Sequence, residues 1–228
     1  MYAFSENFVL PISHDEVVHM KGSLRGKMPG DEWMQLAGVR AFTAYLLGHP
    51  GKKLTFMGAE LGQWHEWNFA GQLDWYLLDN EANRRTQAFF RAINRFYLDQ
   101  SPLWAVDFDW AGFEWLVPDD NQNNVVVFLR RDRRGRELVV AVNFSPNGHA
   151  CYRFGVPEKK CYREVFNTDD SAYGGTGSFH NGALAVQPVP SHGRDCSIEI
   201  KIPPLGAVFL HGEGKLSRPR SVDHKKDE

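Results

Sequence analysis

The chain has 228 residues, of which 26 are Lys or Arg and 28 are Asp or Glu, so its formal net charge is −2. This balance excludes a strongly basic nucleic-acid binder and an acidic tail protein. No apolar run reaches the roughly 18 residues of a membrane span. The first twenty residues also lack the basic start and apolar centre of a signal peptide, so we expect a cytoplasmic protein.

Strands and helices alternate in the first hundred residues. Residues 8–12 and 53–57 are short apolar runs, which predict two strands buried on both faces. Asp31 is placed to cap a helix that ends near Gly48, and a second amphipathic helix is predicted over residues 81–99. This strand-helix-strand-helix order is typical of an α/β fold.

The hydrophobic period becomes two after residue 102, and the composition changes near residues 101–118, which predicts a domain boundary there. The pattern predicts an antiparallel β-sandwich. Its seven short strands fall at residues 114–117, 125–130, 137–144, 152–156, 162–167, 197–202 and 207–211. Five arginines within residues 130–136 fit a solvated hairpin better than an anion site. Residues 215–228 are polar and are expected to be disordered.

The polar residues that follow the two predicted strands could carry chemistry. His14 and Asp15 follow the first strand, at the position where α/β barrels keep catalytic groups. The alternative is that Asp15 caps a turn and His14 is a satisfied buried imidazole, and the residues alone leave both interpretations open. Glu60 follows the second strand. If the strands are neighbours, Asp15 and Glu60 could form the carboxylate pair used in glycosidic cleavage.

The loop between the second strand and the second helix, residues 58–80, is unusually long and therefore suggests a function. It contains Trp64 and Trp67, whose indole faces could pack on the C–H groups of a sugar, although each tryptophan alone could simply be part of the packing. A zinc site is not expected, because His14 and His19 are five residues apart instead of the four that a helical pair requires.

The segment at residues 7–19, NFVLPISHDEVVH, resembles the last catalytic motif of bacterial glycogen branching enzymes, members of the α-amylase superfamily. Further segments resemble the same family in the same order, and as a set they are highly specific. They are RGKMPGD (25–31), PGKKLTFMGAE (50–60), QWHEWN (63–68), LDWYLL (73–78), GFEWLV (112–117), YRFG (152–155), REVFNTD (163–169), SHGR (191–194) and PPL (203–205).

The resemblance implies a catalytic (β/α)₈ TIM barrel followed by a C-terminal antiparallel β-sandwich. Residues 1–102 would supply the last two βα units of the barrel, and residues 103–214 the sandwich. Asp15 would be the transition-state stabiliser, and His14 would bind the same sugar. The nucleophile and the acid/base residue would come from earlier strands that precede this chain. Glu60 would then line the substrate site with Trp64 and Trp67 or be a structural residue, instead of acting as an acid.

The expected function is that of a C-terminal fragment of a 1,4-α-glucan branching enzyme in glycogen biosynthesis, inactive without the N-terminal part of the enzyme as its partner. The substrate would be an α-1,4-glucan or glycogen, and no cofactor, metal, nucleic acid or membrane is expected. One alternative is a non-catalytic α-glucan-binding or assembly module. Another is a fragment of a debranching or trehalose-releasing relative, which the motifs GFEWLV, SHGR and PPL disfavour.

Overall fold

The computed structural model describes residue 4 and residues 6–214, so the predicted disordered tail lies outside the described residues. Within them are two α-helices, α1 (Glu32–Gly48) and α2 (Glu81–Asp99). The strands are β1 (Val9–Pro11), β2 (Lys52–Leu54), β3 (Phe113–Asp120), β4 (Val125–Arg131), β5 (Glu137–Asn143), β6 (His149–Gly155), β7 (Cys161–Asn167), β8 (Ala183–Ala185), β9 (Ser197–Ile202) and β10 (Gly206–Glu213). Neither helix is long and apolar enough to cross a membrane.

The first two strands are parallel neighbours, as the sequence predicts, with Leu10 paired to Lys53. Their predicted burial on both faces is wrong, because Val9 is 51% exposed and Leu54 is 40% exposed. In the described part of the chain, β1 and β2 pair only with each other. Each strand therefore has one unpaired edge, and little of the surrounding structure covers its apolar side chains.

Helix α1 begins at the cap that the sequence indicates. The Asp31 carboxylate accepts a hydrogen bond from the backbone N–H of Met34 at 2.8 Å, and this cap fixes the start of α1. Helix α2 has the predicted bounds, and its apolar stripe includes Phe89 and Ile93, which are both completely buried. Most of the surface of α1 is buried, so its apolar residues are not confined to one stripe. The sequence of α1 is therefore less amphipathic than that of α2.

The second half of the chain forms two antiparallel sheets. One has the order β3-β4-β5-β10-β7-β8, and the other is the pair β6-β9. All seven predicted strands are present. The three-residue strand β8 was not predicted, because three residues are too few to establish an alternating pattern. The two sheets pack face to face, and alternate residues of β4 and β10, among them Val127, Leu129 and Val208, fill the core between them with Phe154 and Ile198.

The opposite face of the six-stranded sheet packs against the two helices. Phe128, Val140 and Phe209 from this face share one continuous core with Leu47 of α1 and Ile93 of α2. The middle strands are therefore buried on both faces. This core runs across the predicted boundary near residue 102, so the helices and the sandwich pack as one body.

One arginine of the run at 130–136 does not lie in the solvated hairpin where we expected it. The turn itself is present, since the backbone N–H of Gly135 donates to the carbonyl of Asp132 at 3.0 Å. Arg130, however, is completely buried. Side chains alternate between the two faces of a strand, and Arg130 lies on the same face of β4 as Phe128, toward the helices. There its guanidinium donates to the carbonyls of Gly48, Leu103 and Gly112.

Candidate functional site

The chain leaves β1 and forms a short 3₁₀ turn, His14–Glu16, at the carboxyl end of that strand. Ser13 caps the turn, because its hydroxyl accepts a hydrogen bond from the backbone N–H of Asp15 at 3.2 Å. In return, the Glu16 carboxylate accepts from the backbone N–H of Ser13 at 2.9 Å and from its hydroxyl at 3.0 Å. These bonds from Ser13 lower the pKa of Glu16. This reciprocal cap fixes the backbone at Asp15 without using the Asp15 carboxylate.

His14 and Asp15 point their side chains toward solvent from this turn. The imidazole Nε2 of His14 lies 3.3 Å from Oδ1 of Asp15, and the two side chains are 56% and 68% exposed. The alternative in which His14 is buried and Asp15 is the cap is therefore wrong, because Ser13 provides the cap. An exposed carboxylate beside an exposed imidazole can accept from and donate to the hydroxyl groups of a bound sugar.

Trp67 packs beside this turn. Its indole makes an edge-to-face contact with Phe56, which follows β2, at 5.0 Å between ring centroids, and lies 6.4 Å from the imidazole of His14. The backbone N–H of Trp67 donates to the carbonyl of Val17 at 3.1 Å, which holds the long loop against the turn. Ile12, Val17, Phe56 and Trp67 line a shallow cleft there.

Glu60 and Trp64 contact other parts of the protein than the turn that carries His14 and Asp15. The Glu60 carboxylate accepts from the backbone N–H of Gly58 at 2.9 Å and so closes its own loop. Trp64 is 48% exposed, and the guanidinium of Arg25 lies 5.3 Å from its ring centroid. Among the described residues, no hydrogen bond, ion pair or ring contact links either side chain to Asp15. The geometry thus gives no support to the hypothesis that Asp15 and Glu60 form a catalytic carboxylate pair. The roles of Glu60 and Trp64 in substrate binding remain predictions.

Several residues near the turn were missed by the sequence reasoning. Phe56 forms the wall on which Trp67 packs. Nδ1 of His65 lies 2.8 Å from a carboxylate oxygen of Asp74, and the backbone N–H of Asp74 donates to the side-chain oxygen of Gln63 at 3.3 Å, so the two halves of the loop are joined. These three polar residues fall within the motifs QWHEWN and LDWYLL. In the part of the chain that is described, no group of His, Cys, Asp and Glu side chains could hold a metal ion.

Residues 115–213 match the family model of the α-amylase C-terminal all-β domain. A 1,4-alpha-glucan branching enzyme of Aromatoleum aromaticum is 47% identical over 220 residues, which cover 96% of this chain and 35% of that enzyme. The 1,4-alpha-glucan branching enzyme of Halothermothrix orenii is 48% identical over 211 residues, or 92% of this chain and 34% of the enzyme. The chain thus spans about a third of the length of these curated relatives.

Solved structures share the fold at much lower identity. A cyclomaltodextrinase superposes with a TM-score of 0.58 and 16% identity, covering 90% of this chain and 30% of that chain. A debranching enzyme from Nostoc punctiforme gives a TM-score of 0.51 and 15% identity, over 77% of this chain and 31% of that chain. At these identities the likeness concerns only the fold.

Proposed function

We propose that this chain supplies the C-terminal portion of a bacterial 1,4-alpha-glucan branching enzyme, an enzyme of the α-amylase superfamily. The identity of 47–48% over more than nine-tenths of the chain is the observation that carries the proposal. The complete enzyme would break an α-1,4 bond of glycogen, hold the released segment as a covalent glycosyl-enzyme, and transfer it to a 6-hydroxyl to form an α-1,6 branch. Its location would be the cytoplasm.

Residues 1–102 would form the last two βα units of a catalytic (β/α)₈ barrel, with β1 as the seventh strand and β2 as the eighth. Two features support this assignment. The two strands are parallel, as barrel strands are, and within the described residues each has a free edge to which a neighbouring strand could pair. Residues 103–214 would be the β-sandwich that follows the barrel.

Asp15 would stabilise the transition state, and His14 would hold hydroxyl groups of the same sugar. This role is supported by their position after β1 and by their exposure beside Trp67. Trp64, Trp67 and Glu60 would line the path of the glucan. Retaining chemistry also needs a nucleophile and an acid/base carboxylate about 5–5.5 Å apart. In this proposal, both come from the N-terminal portion of the enzyme, which is the partner of this chain.

The test is an iodine-staining assay for branching with amylose as substrate. The purified 228-residue chain is assayed alone, and then after co-expression with the N-terminal two-thirds of the Halothermothrix orenii enzyme. We expect no branching by the chain alone and branching by the pair. Branching by the isolated chain, or an inactive pair that nevertheless forms a stable complex, would contradict the proposal.

A second candidate function is that of a non-catalytic α-glucan-binding module. The all-β domain at residues 115–213 favours it, because this part of the chain packs extensively within itself. The branching assay of the co-expressed pair distinguishes the two candidates, since a non-catalytic binding module adds no branching activity to the N-terminal partner. A debranching function has weaker support, because the solved debranching enzyme is only 15% identical to this chain.

A further inference from the structure

A wide groove runs beside the segment that joins α2 to β3. One part, of about 720 Å³, is lined by ten residues that include Lys52, Trp104, Phe108 and Asp109. The adjoining part, of about 530 Å³, is lined by Ser101 and by the arginines of the β4–β5 hairpin. Both parts share Trp104, Ala105, Asp132 and Arg133, so they form one continuous surface, here called the Trp104 groove. Its size is that of a ligand-binding cleft.

The Trp104 indole is exposed but firmly held. It is 40% exposed, and its Nε1–H donates to the backbone carbonyl of Leu98 at 3.2 Å. The backbone N–H of Trp104 donates to the carbonyl of Ser101 at 3.2 Å, and the Ser101 hydroxyl donates to the buried Asp132 at 2.6 Å. The indole N–H, which is the one polar group of the Trp104 side chain, thus has its hydrogen-bond partner within the protein. The side chain therefore presents an apolar ring to the groove.

The hairpin adds polar groups around this ring. Arg136 is committed to Asp132 at 2.7 Å, but no ion pair is formed by Arg133 or Arg134 within the described residues. Their guanidinium groups are therefore available to donate hydrogen bonds to a ligand. Asp109 lines the other end, and among the residues that the structure describes only one of its carboxylate oxygens accepts a hydrogen bond, from the backbone N–H of Ala111 at 2.8 Å.

We propose that the Trp104 groove binds a segment of α-1,4-glucan outside the active site. The inference rests on the proposed function, which makes a glucan the substrate. A ligand with apolar C–H faces and many hydroxyl groups suits this surface. Its C–H groups can pack on the fixed indole, and its hydroxyl groups can bind the guanidinium groups and the second carboxylate oxygen. A polyanion suits it less well, because Lys52 and Arg136 are already paired with the buried carboxylates of Asp107 and Asp132, and the Asp109 carboxylate adds negative charge to the groove.

The groove lies away from the candidate active site. Lys52, which lines the groove, is the first residue of β2, whereas Phe56 and the turn at His14–Glu16 follow the carboxyl ends of β2 and β1. The two sites therefore lie at opposite ends of the parallel strand pair. A long glucan bound in the groove would be kept close to the enzyme while another of its segments reacts, which raises the effective concentration of substrate.

The test is affinity electrophoresis of the 228-residue chain in gels with increasing glycogen. We expect the chain to be retarded, Trp104→Ala to weaken the apparent affinity about tenfold, the loss typical of a central aromatic contact, and Trp104→Phe to retain most of it. The double variant Arg133→Ala/Arg134→Ala should weaken binding severalfold. Controls are Tyr76→Ala, an exposed ring outside the groove, and Arg91→Ala/Arg95→Ala, which removes two exposed charges from α2.

The inference is overturned if the wild-type chain is not retarded, or if Trp104→Ala and the double arginine variant bind as tightly as the controls. Retardation by heparin instead of glycogen would also overturn it, because the groove would then be an anion surface. If Trp104→Ala fails to fold, Trp104→Phe and the double arginine variant still decide. None of these results bears on branching by the co-expressed pair, so the proposed function is judged separately.

Discussion

The guanidinium of Arg130 lies 2.8 Å from the carboxylate of Asp107, and their side chains are only 0% and 1% exposed. Asp107 also accepts from the ammonium of Lys52 at 2.9 Å. Asp107, in the segment after α2, thus pairs both with Arg130 of β4 and with Lys52 at the start of β2. Burial lowers the pKa of Arg130 by disfavouring its charge, while the Asp107 carboxylate opposes that shift.

Replacing Arg130 with Met is expected to lower the free energy of unfolding by about 3–5 kcal/mol, because Asp107 and three carbonyls lose a buried donor. Urea denaturation measures the change. The control is Arg153→Ala, since Arg153 pairs with Glu199 at 2.9 Å with both side chains partly exposed, and the expected loss there is below about 1 kcal/mol. Equal losses in both variants would show that the buried pair has no special weight.

The stability of the chain should depend on pH through Lys53, which donates to the carbonyl of His49. Burial, together with the charge of Arg130, lowers the pKa of Lys53 to about 7. Between that value and the ordinary lysine value the unfolded chain binds a proton that the native chain lacks, so the free energy of unfolding rises as pH rises. The slope is at most about 1.4 kcal/mol per pH unit, because one proton is involved.

The measurement is urea denaturation of wild type and of Lys53→Met from pH 7 to pH 9, a range below the titration of the buried tyrosines, whose pKa values burial raises. The wild type should gain stability relative to Lys53→Met across this range. Parallel curves for the two proteins would mean that Lys53 titrates normally in the native state.

Local sequence patterns predicted the positions of the helices and strands well, but they predicted the burial of residues in these elements less well. The bounds of α2 and of β9 follow from a hydrophobic period that each segment carries by itself. The burial of β1 and β2 depends on which strands lie beside them, which their own sequence cannot specify. Arg130 was assigned to a solvated hairpin because of the charge of the run. The charge does not indicate that side chains alternate along β4 and that this one arginine therefore lies on a buried face.

The candidate site shows the same division. The position after β1 predicted that His14 and Asp15 lie at the carboxyl end of that strand, where the structure has them, and the long loop brings Trp67 to within 6.4 Å of the His14 imidazole. Their roles in substrate binding stay predictions. The direction of Glu60 was not predictable in this way. Gly58 adopts a left-handed backbone conformation with φ of +93°, and the loop then turns so that the Glu60 carboxylate binds the Gly58 backbone N–H.

Deleting residues 1–102 should leave a sandwich that is partly stable and exposes an apolar face. The core between the two sheets would remain, but Phe128, Val140 and Phe209 would lose their contacts with the helices. We expect residues 103–214 to bind the dye ANS and to unfold at lower urea than the full chain. A fragment as stable as the whole chain, without ANS binding, would show that the helices contribute nothing to the sandwich.

Ser13→Ala tests the cap that holds the turn, in the chain co-expressed with the N-terminal portion of a relative. The substitution removes the hydroxyl that binds the Asp15 backbone and the Glu16 carboxylate, so we expect a stability loss of about 1 kcal/mol but a larger proportional loss of branching. Ser13→Thr, which retains the hydroxyl, should restore most of the activity. If branching falls no more in Ser13→Ala than in Ser13→Thr, the cap does not position Asp15.

Asp15→Ala should remove most branching from the same co-expressed pair while the chain stays folded. The Asp15 side chain is 68% exposed, and its one ion-pair partner in the described part of the chain is His14, so little stability depends on it. A carboxylate that binds sugar hydroxyls contributes charge-assisted hydrogen bonds of about 1.5–3 kcal/mol each. Losing two of them in the transition state would therefore slow turnover by about two to four orders of magnitude.

The matched control for Asp15→Ala is Asp119→Ala, which removes an exposed carboxylate from the end of β3 and should leave branching unchanged. Urea denaturation of both variants separates loss of function from loss of fold. Because Asp15 would act on the transition state, turnover should fall more than the apparent affinity for amylose does. Near-normal turnover in Asp15→Ala, or a loss confined to affinity, would mean that another residue stabilises the transition state.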